Sequence, residues 1–261
     1  LANHEFVAGD FLSIADIARD KGVLLFNVGA ADDILREEEC RVNVFHTAPT
    51  RTMLADGLAQ YLVWKQWRRW VLLYGSHEPD QLFAEALRRA ATRFGGEIVA
   101  EKLFADTGTA RRTDSGIVQI QRQMPVFTQD LPDHDVVLVA DESEVFGTYV
   151  LNRTWIPRPV AGTAGLVPST WHPASEQWGG TQIQNRFAKK NERRMLSKDM
   201  AAWTAARIVG DAATRTNSAD PQKISDFIRA DDYAIAAFRG QKLTFRKWNL
   251  QLRQPIFLGD G

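Results

Sequence analysis

Few residues in this 261-residue chain have the types and spacing that chemistry requires. Gly75-Ser76-His77 follows an apolar run and could present a hydroxyl beside an imidazole, but the Gly-x-Ser-x-Gly turn that exposes a nucleophilic serine is missing. A loop closing a strand is the simpler account. His4, His46, His77, His134 and His172 are scattered without metal-ligand spacing. Asp32, Asp33, Glu37, Glu38 and Glu39 could offer oxygens to a hard cation, yet they also read as the charged first turns of a helix. Cys40 follows three glutamates, whose charge disfavours a thiolate, so it is a poor nucleophile. There is no phosphate-binding loop, no dinucleotide fingerprint, no His-Glu-x-x-His and no Cys-x-x-Cys. No metal, no cofactor and no catalytic residue is assigned, and binding is favoured over catalysis.

Composition narrows the class further. Lys+Arg and Asp+Glu are both 32, so the formal net charge is zero and the basic excess of a nucleic-acid binder is absent. The basic stretch from Arg186 to Arg194 reads as the solvated face of a helix. Hydrophobic residues make up 44% and charged residues 25%, which is a globular balance. No apolar run is long enough for a transmembrane helix.

The elements that must carry any site alternate between strand and helix. Continuous apolar runs at Val23–Phe26, Trp70–Tyr74 and Asp135–Ala140 have the signature of buried parallel strands. A helix with Asp80 as its N-cap presents Phe83, Leu87, Ala90, Ala91 and Phe94 on one face and stops at Gly95-Gly96. A longer helix is expected over Met53–Trp70, and a weaker one over Ser115–Gln129, interrupted by Pro125. Val160–Gly165 reads as a strand and crossing segment, and 166–180 as a Pro-, Trp- and Gly-rich loop. Helices return over Asp199–Thr214 and Asp220–Arg229, and Leu243–Leu258 reads as a strand pair. The class is α/β with a parallel sheet.

In such sheets ligands sit at the carboxyl ends of strands. That rule selects Ala30, Ala31 and Asp32 after the first run, Ser76 and His77 after the second, Asp141 and Glu142 after the third, and Gly165 at a fourth strand end.

The order of segments resembles a type I periplasmic substrate-binding protein of an ABC transporter, of the branched-chain amino acid and amide group. The resemblance rests on Leu24–Asp32, on Asn43–Pro49 and on Trp70–Arg93. Within that group the wording is similar to the binding proteins associated with PQQ-dependent alcohol catabolism. Phe45–Asp56, Gln60–Lys65, Arg68–Trp70, Ala86–Ala90, Asp199–Trp203 and, most specifically, Arg246–Pro255 carry it.

The resemblance implies a type I periplasmic binding protein fold of two parallel-sheet, Rossmann-like lobes with a three-strand hinge. Lobe 1 would take 1–46 and 162–240, and lobe 2 would take 47–161 and 241–261, with crossings near Thr47, Val160 and Gln241. The first lobe is expected to be incomplete at its N-terminus. The resemblance also implies a non-enzymatic, periplasmic, monomeric receptor that traps a small solute between its lobes and delivers it to a membrane permease. In that family hydroxyl residues of the first-lobe loop hold the carboxylate and amine of an amino acid. Here the loop reads Ala30-Ala31-Asp32, so a cationic or polyhydroxyl solute is expected, unless Asp32 only caps the next helix. A sensor or partner-interaction module on the same fold, and a receptor for a metal or metal complex, are the alternatives.

Overall fold

The computed structural model describes residues 8–106 and 114–260. His4 lies outside them. In chain order the elements begin with α1 (Ala8–Asp20), β1 (Leu25–Asn27), β2 (Val44–His46), α2 (Arg51–Trp64), β3 (Arg69–Gly75) and α3 (Glu78–Phe94). Next come β4 (Glu97–Phe104), α4 (Asp114–Thr128), β5 (Val136–Ala140), α5 (Gly147–Val150), β6 (Val160–Gly162) and β7 (Leu166–Ser169). The chain continues through α6 (Gly180–Asn191), α7 (Ser197–Thr216), α8 (Pro221–Arg229), β8 (Ile235–Ala236), β9 (Lys242–Phe245), β10 (Leu252–Arg253) and β11 (Phe257–Asp260). Two 3-10 turns cover Asp33–Arg36 and Gln177–Gly179.

The chain divides into two compact units. The first contains the described residues up to Thr50 together with Thr170–Phe257, and the second contains Arg51–Ser169 with the residues from Leu258 on.

The second unit is built on a six-stranded sheet in the order β11-β7-β6-β5-β3-β4. The pairs β3–β4, β3–β5, β5–β6 and β6–β7 are parallel. All five residues of β5 are buried, as an apolar strand covered on both faces must be. The two-residue period sorts side chains between the faces. Trp70, Leu72, Val136 and Leu138 pack with Leu58, Leu62, Phe83 and Leu87 of α2 and α3. Val71, Leu73, Val137 and Val139 pack on the other face with Met124 and Phe146.

Three local expectations need correction. The helix expected to be capped by Asp80 starts earlier, at Glu78, with His77 as N-cap. Asp80 sits three residues in and accepts the His77 backbone N–H at 3.3 Å, while Gly95 closes the helix in the left-handed region at φ +80°. The helix expected to reach Trp70 ends at Trp64, because Gln66 turns left-handed at φ +64° and Arg69 opens β3. The acidic group 32–39 forms no α-helix; only Asp33–Arg36 makes a 3-10 turn.

In the first unit β1 and β2 pair in parallel, with Asn27 opposite His46. β8, β9 and β10 form an antiparallel sheet in the order β10-β9-β8. Phe45 shares one core with Ile208 of α7, Ile224 and Ile228 of α8, and Leu243, Phe245, Leu250 and Leu252. α8 starts where Asp220 accepts the Lys223 N–H at 3.0 Å and Pro221 supplies a fixed φ. This shared core places 241–257 with the first unit, where the sequence had put it in lobe 2. The strand β7 pairs with β6, so 162–169 falls in the second unit rather than in lobe 1.

Candidate functional site

The carboxyl end of β1 is organised by Asn27, which is buried. Its Oδ1 accepts the backbone N–H of Gly29 at 3.1 Å and of Ala30 at 2.9 Å. Its Nδ2 donates to Ala30 O at 2.9 Å and to Nδ1 of His46 at 3.0 Å. Because Oδ1 takes two N–H groups, the amide orientation is fixed, and His46 Nδ1 must accept. The proton of this neutral imidazole therefore sits on Nε2. Burial, reinforced by the nearby Arg36 cation, pushes the His46 pKa down to about 2.

Arg36, also buried, ties this loop to two others. Its Nη1 donates to Ala30 O at 2.9 Å and to Asp32 O at 3.0 Å. Its Nη2 donates to Ala48 O at 3.0 Å, and its Nε to Gln251 Oε1 at 3.0 Å. Gln251 in turn donates from Nε2 to Ala48 O at 3.0 Å and to His46 O at 3.3 Å. Thr47 Oγ1 lies 3.2 Å from Asn27 O and 3.1 Å from Ala201 O. These bonds tie the β1 loop to its neighbouring segments, while His46 Nε2 is buried without a partner.

The second unit has its own strand-end cluster. Asp80 is fully buried, and its Oδ1 accepts the Ser143 N–H at 2.9 Å, so one carboxylate joins the ends of β3 and β5. Burial, and secondarily Asp141, raises its pKa, against the lowering pull of its N–H donors. Asp141 accepts three successive backbone N–H groups, from Val145 at 2.9 Å, Phe146 at 2.8 Å and Gly147 at 2.6 Å. Glu142 Oε2 is held by Nε of Arg51 at 2.9 Å and by its Nη2 at 2.8 Å. Ser76 Oγ accepts the Asp106 N–H at 3.0 Å, and His77 Nε2 meets Asp106 Oδ2 at 2.8 Å.

Residues 5–123 match the family model described as periplasmic binding protein. A branched chain amino acid ABC transporter periplasmic ligand-binding protein from Burkholderia xenovorans LB400 superposes with a TM-score of 0.77 at 17% identity, covering 96% of this chain and 69% of that one. An ABC transporter substrate-binding protein from Desulfitobacterium hafniense, in complex with Leu, gives 0.71 at 18% identity over 96% and 74%. A solute binding protein from R. palustris, in complex with benzoate, gives 0.69 at 14% identity over 96% and 71%. No curated protein matches the chain in sequence. The fold is that of a type I periplasmic binding protein. The structural neighbours named above are substrate-binding proteins of transporters.

Within the periplasmic binding fold the expected residues fall into two groups. Ala30, Ala31 and Asp32 share the half-buried loop of the first unit, with Ala30 held through both its N–H and its carbonyl and Asp32 through its carbonyl. Ser76, His77, Asp141 and Glu142 share the strand-end cluster of the second. Gly165, expected in lobe 1, belongs to the second unit at the β6–β7 turn. Its φ is +71°, and a Cβ there would lie 2.2 Å from Val160 O, so backbone packing demands this glycine. The carboxylates of Asp141 and Glu142 are engaged in shaping and anchoring their loop.

Ser76 and His77 form no nucleophile–base pair. Ser76 and His77 each turn to Asp106 rather than to one another. Burial raises the Cys40 pKa and disfavours its thiolate. Among the described residues no three His, Cys, Asp or Glu side chains gather as metal ligands. None of the described helices is long and apolar enough to cross a membrane.

Sequence reasoning overlooked Asn27, Arg36, His46, Asp80 and Gln251. A signal was present for four of them. Asn27 lies in Leu24–Asp32, Asp80 in Trp70–Arg93, His46 in Phe45–Asp56 and Gln251 in Arg246–Pro255, all segments that carried the resemblance.

Proposed function

We propose that the chain is the solute-binding receptor of an ABC importer, located in the periplasm and delivering a small molecule to membrane permease subunits. One observation carries this reading. The strand-end loops of a periplasmic binding fold are held rigid by buried polar side chains, with Asn27, Arg36 and Gln251 in the first unit and Asp80 in the second. Rigid loops presenting backbone groups and short side chains suit recognition of a small ligand. Nothing in the same loops activates a nucleophile.

The ligands in complex with two structural neighbours, leucine and benzoate, are both small carboxylates. A small organic acid is the solute class we favour here. The stretches Phe45–Asp56 and Arg246–Pro255 support a place in PQQ-dependent alcohol catabolism, whose oxidation steps turn alcohols into aldehydes and acids.

A thermal-shift screen over alcohols, aldehydes, short acids, amino acids, PQQ and metal ions tests the reading. A solute present at 100 times its Kd stabilises by about 2.7 kcal/mol. One chemical class raising Tm is expected. A flat response across the panel would refute a receptor for these solutes.

A further inference from the structure

Arg239 lies in the turn between β8 and β9 and is only 2% exposed. Its Nη1 donates to Oε1 of Gln254, whose Nε2 donates to Thr47 O at 2.8 Å. Its Nε and Nη2 are buried without any acceptor. Among the described residues no carboxylate offsets its charge, and burial holds its pKa down to about 10. Arginines are almost never buried this deeply without an anionic partner, because an uncompensated charge in a low dielectric is costly.

The bare edge has a definite shape. Nε and Nη2 form the side of a guanidinium that grips a carboxylate with two parallel N–H bonds. Arg51 uses that same edge on Glu142, at 2.9 and 2.8 Å. Among the described residues that edge of Arg239 meets no acceptor.

The turn that carries Arg239 is held under backbone strain and packs beside aromatic rings. Phe238 and Trp178 both occupy the left-handed region, at φ +55° and +51°, which bulky residues adopt only when their surroundings force them to. A Cβ on Gly240 would lie 2.5 Å from the Trp178 indole, and one on Gly179 would lie 3.0 Å from the Phe238 ring. The Phe238 ring also sits 5.4 Å from that of Trp203. Trp178 itself is 55% exposed.

We propose that Arg239 anchors the carboxylate of an organic acid through Nε and Nη2, with the rings of Phe238 and Trp178 forming the apolar wall for the body of that acid. The assignment rests on the receptor reading above and fixes the sign of the solute's charge. It replaces the cationic solute that Asp32 had suggested.

The test titrates the full chain with acetate, propanoate and benzoate. Benzyl alcohol, benzylamine, chloride and inorganic phosphate serve as counterparts, and binding is read by thermal shift and calorimetry. At least one carboxylate at 100 times its Kd is expected to raise Tm by roughly 5 °C or more, with the neutral, cationic and inorganic probes inactive. Arg239→Met is expected to weaken that carboxylate at least roughly 30-fold, while leaving the ligand-free Tm unchanged or higher. Arg239→Lys keeps the charge and the fold but lacks the planar fork, so it is expected to bind the carboxylate more weakly than the wild type. Unchanged carboxylate affinity in Arg239→Lys and Arg239→Met, or an equal response to phosphate and chloride, would overturn the anchor. Binding of the alcohol or amine alone would overturn it while leaving the receptor reading intact. Silence from every compound would count against both.

Discussion

Replacing Arg36 with methionine tests whether the first-unit loop is held by a buried clamp. The longer arginine stem is largely matched by methionine, so the cavity contribution is small. What changes is hydrogen bonding. Ala30 O keeps its bond from Asn27 Nδ2, and Ala48 O keeps its bond from Gln251 Nε2. Asp32 O keeps its bond from the Leu35 N–H at 3.4 Å, so only Gln251 Oε1 is left without the donor that Arg36 supplies at 3.0 Å. A buried acceptor left short of a donor costs about 1–3 kcal/mol, so Arg36→Met is expected to cost about 2 kcal/mol. For a chain of this size that lowers Tm by roughly 4–8 °C. Urea unfolding followed by tryptophan fluorescence gives the free energy, and amide exchange at Gly29 and Ala30 shows whether the loop loosens. A loss below about 1 kcal/mol, with exchange at those amides unchanged, would refute the clamp.

Three further outcomes follow from the same geometry. His46 is neutral in the folded chain down to about pH 2 but titrates at 6.5 when unfolded. The unfolded state therefore binds more protons between those values, and stability is full above pH 6.5 and falls by about 1.4 kcal/mol per pH unit below it. His46→Gln should remove that increment of slope from urea unfolding measured between pH 7 and 5, and an identical slope in the variant would contradict the assignment. Asp141→Ala strips the acceptor from three backbone amides and should cost about 3 kcal/mol. Unchanged Tm with weakened solute binding would instead place that carboxylate on the solute. Gly162→Ala puts a Cβ 2.2 Å from Val139 O at φ +118°, so a loss above about 2 kcal/mol is expected; a neutral effect on the melting curve would show that the β5–β6 approach can relax.

The legible parts of this fold are those governed by local periodicity. β3 and β5 are continuous apolar runs in the sequence because both faces are covered, and α8 carries its cap and its proline in plain view. β4 escaped notice because its residues alternate in exposure at the edge of the sheet, with Glu97 and Glu101 breaking the apolar run. β7 was hidden in a segment whose Pro and Gly content reads as loop. Helix ends were displaced for a physical reason too. Asp80 has the chemistry of an N-cap but serves at the third position, and a lone left-handed Gln66 ends α2 without any glycine to announce it.

The candidate site was legible by position and opaque by role. The strand-end rule selects loops, because loop position follows from topology. Which side chain faces which partner depends on contacts more than 200 residues apart, as between Arg36 and Gln251. No spacing rule reaches that far. Asp141 looked like a ligand because it ends a strand, yet its oxygens are taken by the next turn of its own loop. Arg239, in an unremarkable Phe-Arg-Gly turn, showed its bare edge only once its burial was known.

The central claim, that this is a receptor and not a catalyst, is tested most directly by isothermal titration with the acid selected in the thermal screen, followed by recovery of that acid after prolonged incubation. The account predicts saturable binding of one solute per chain and a solute recovered chemically unchanged. Conversion of the solute, or no saturable binding of any acid, would contradict it.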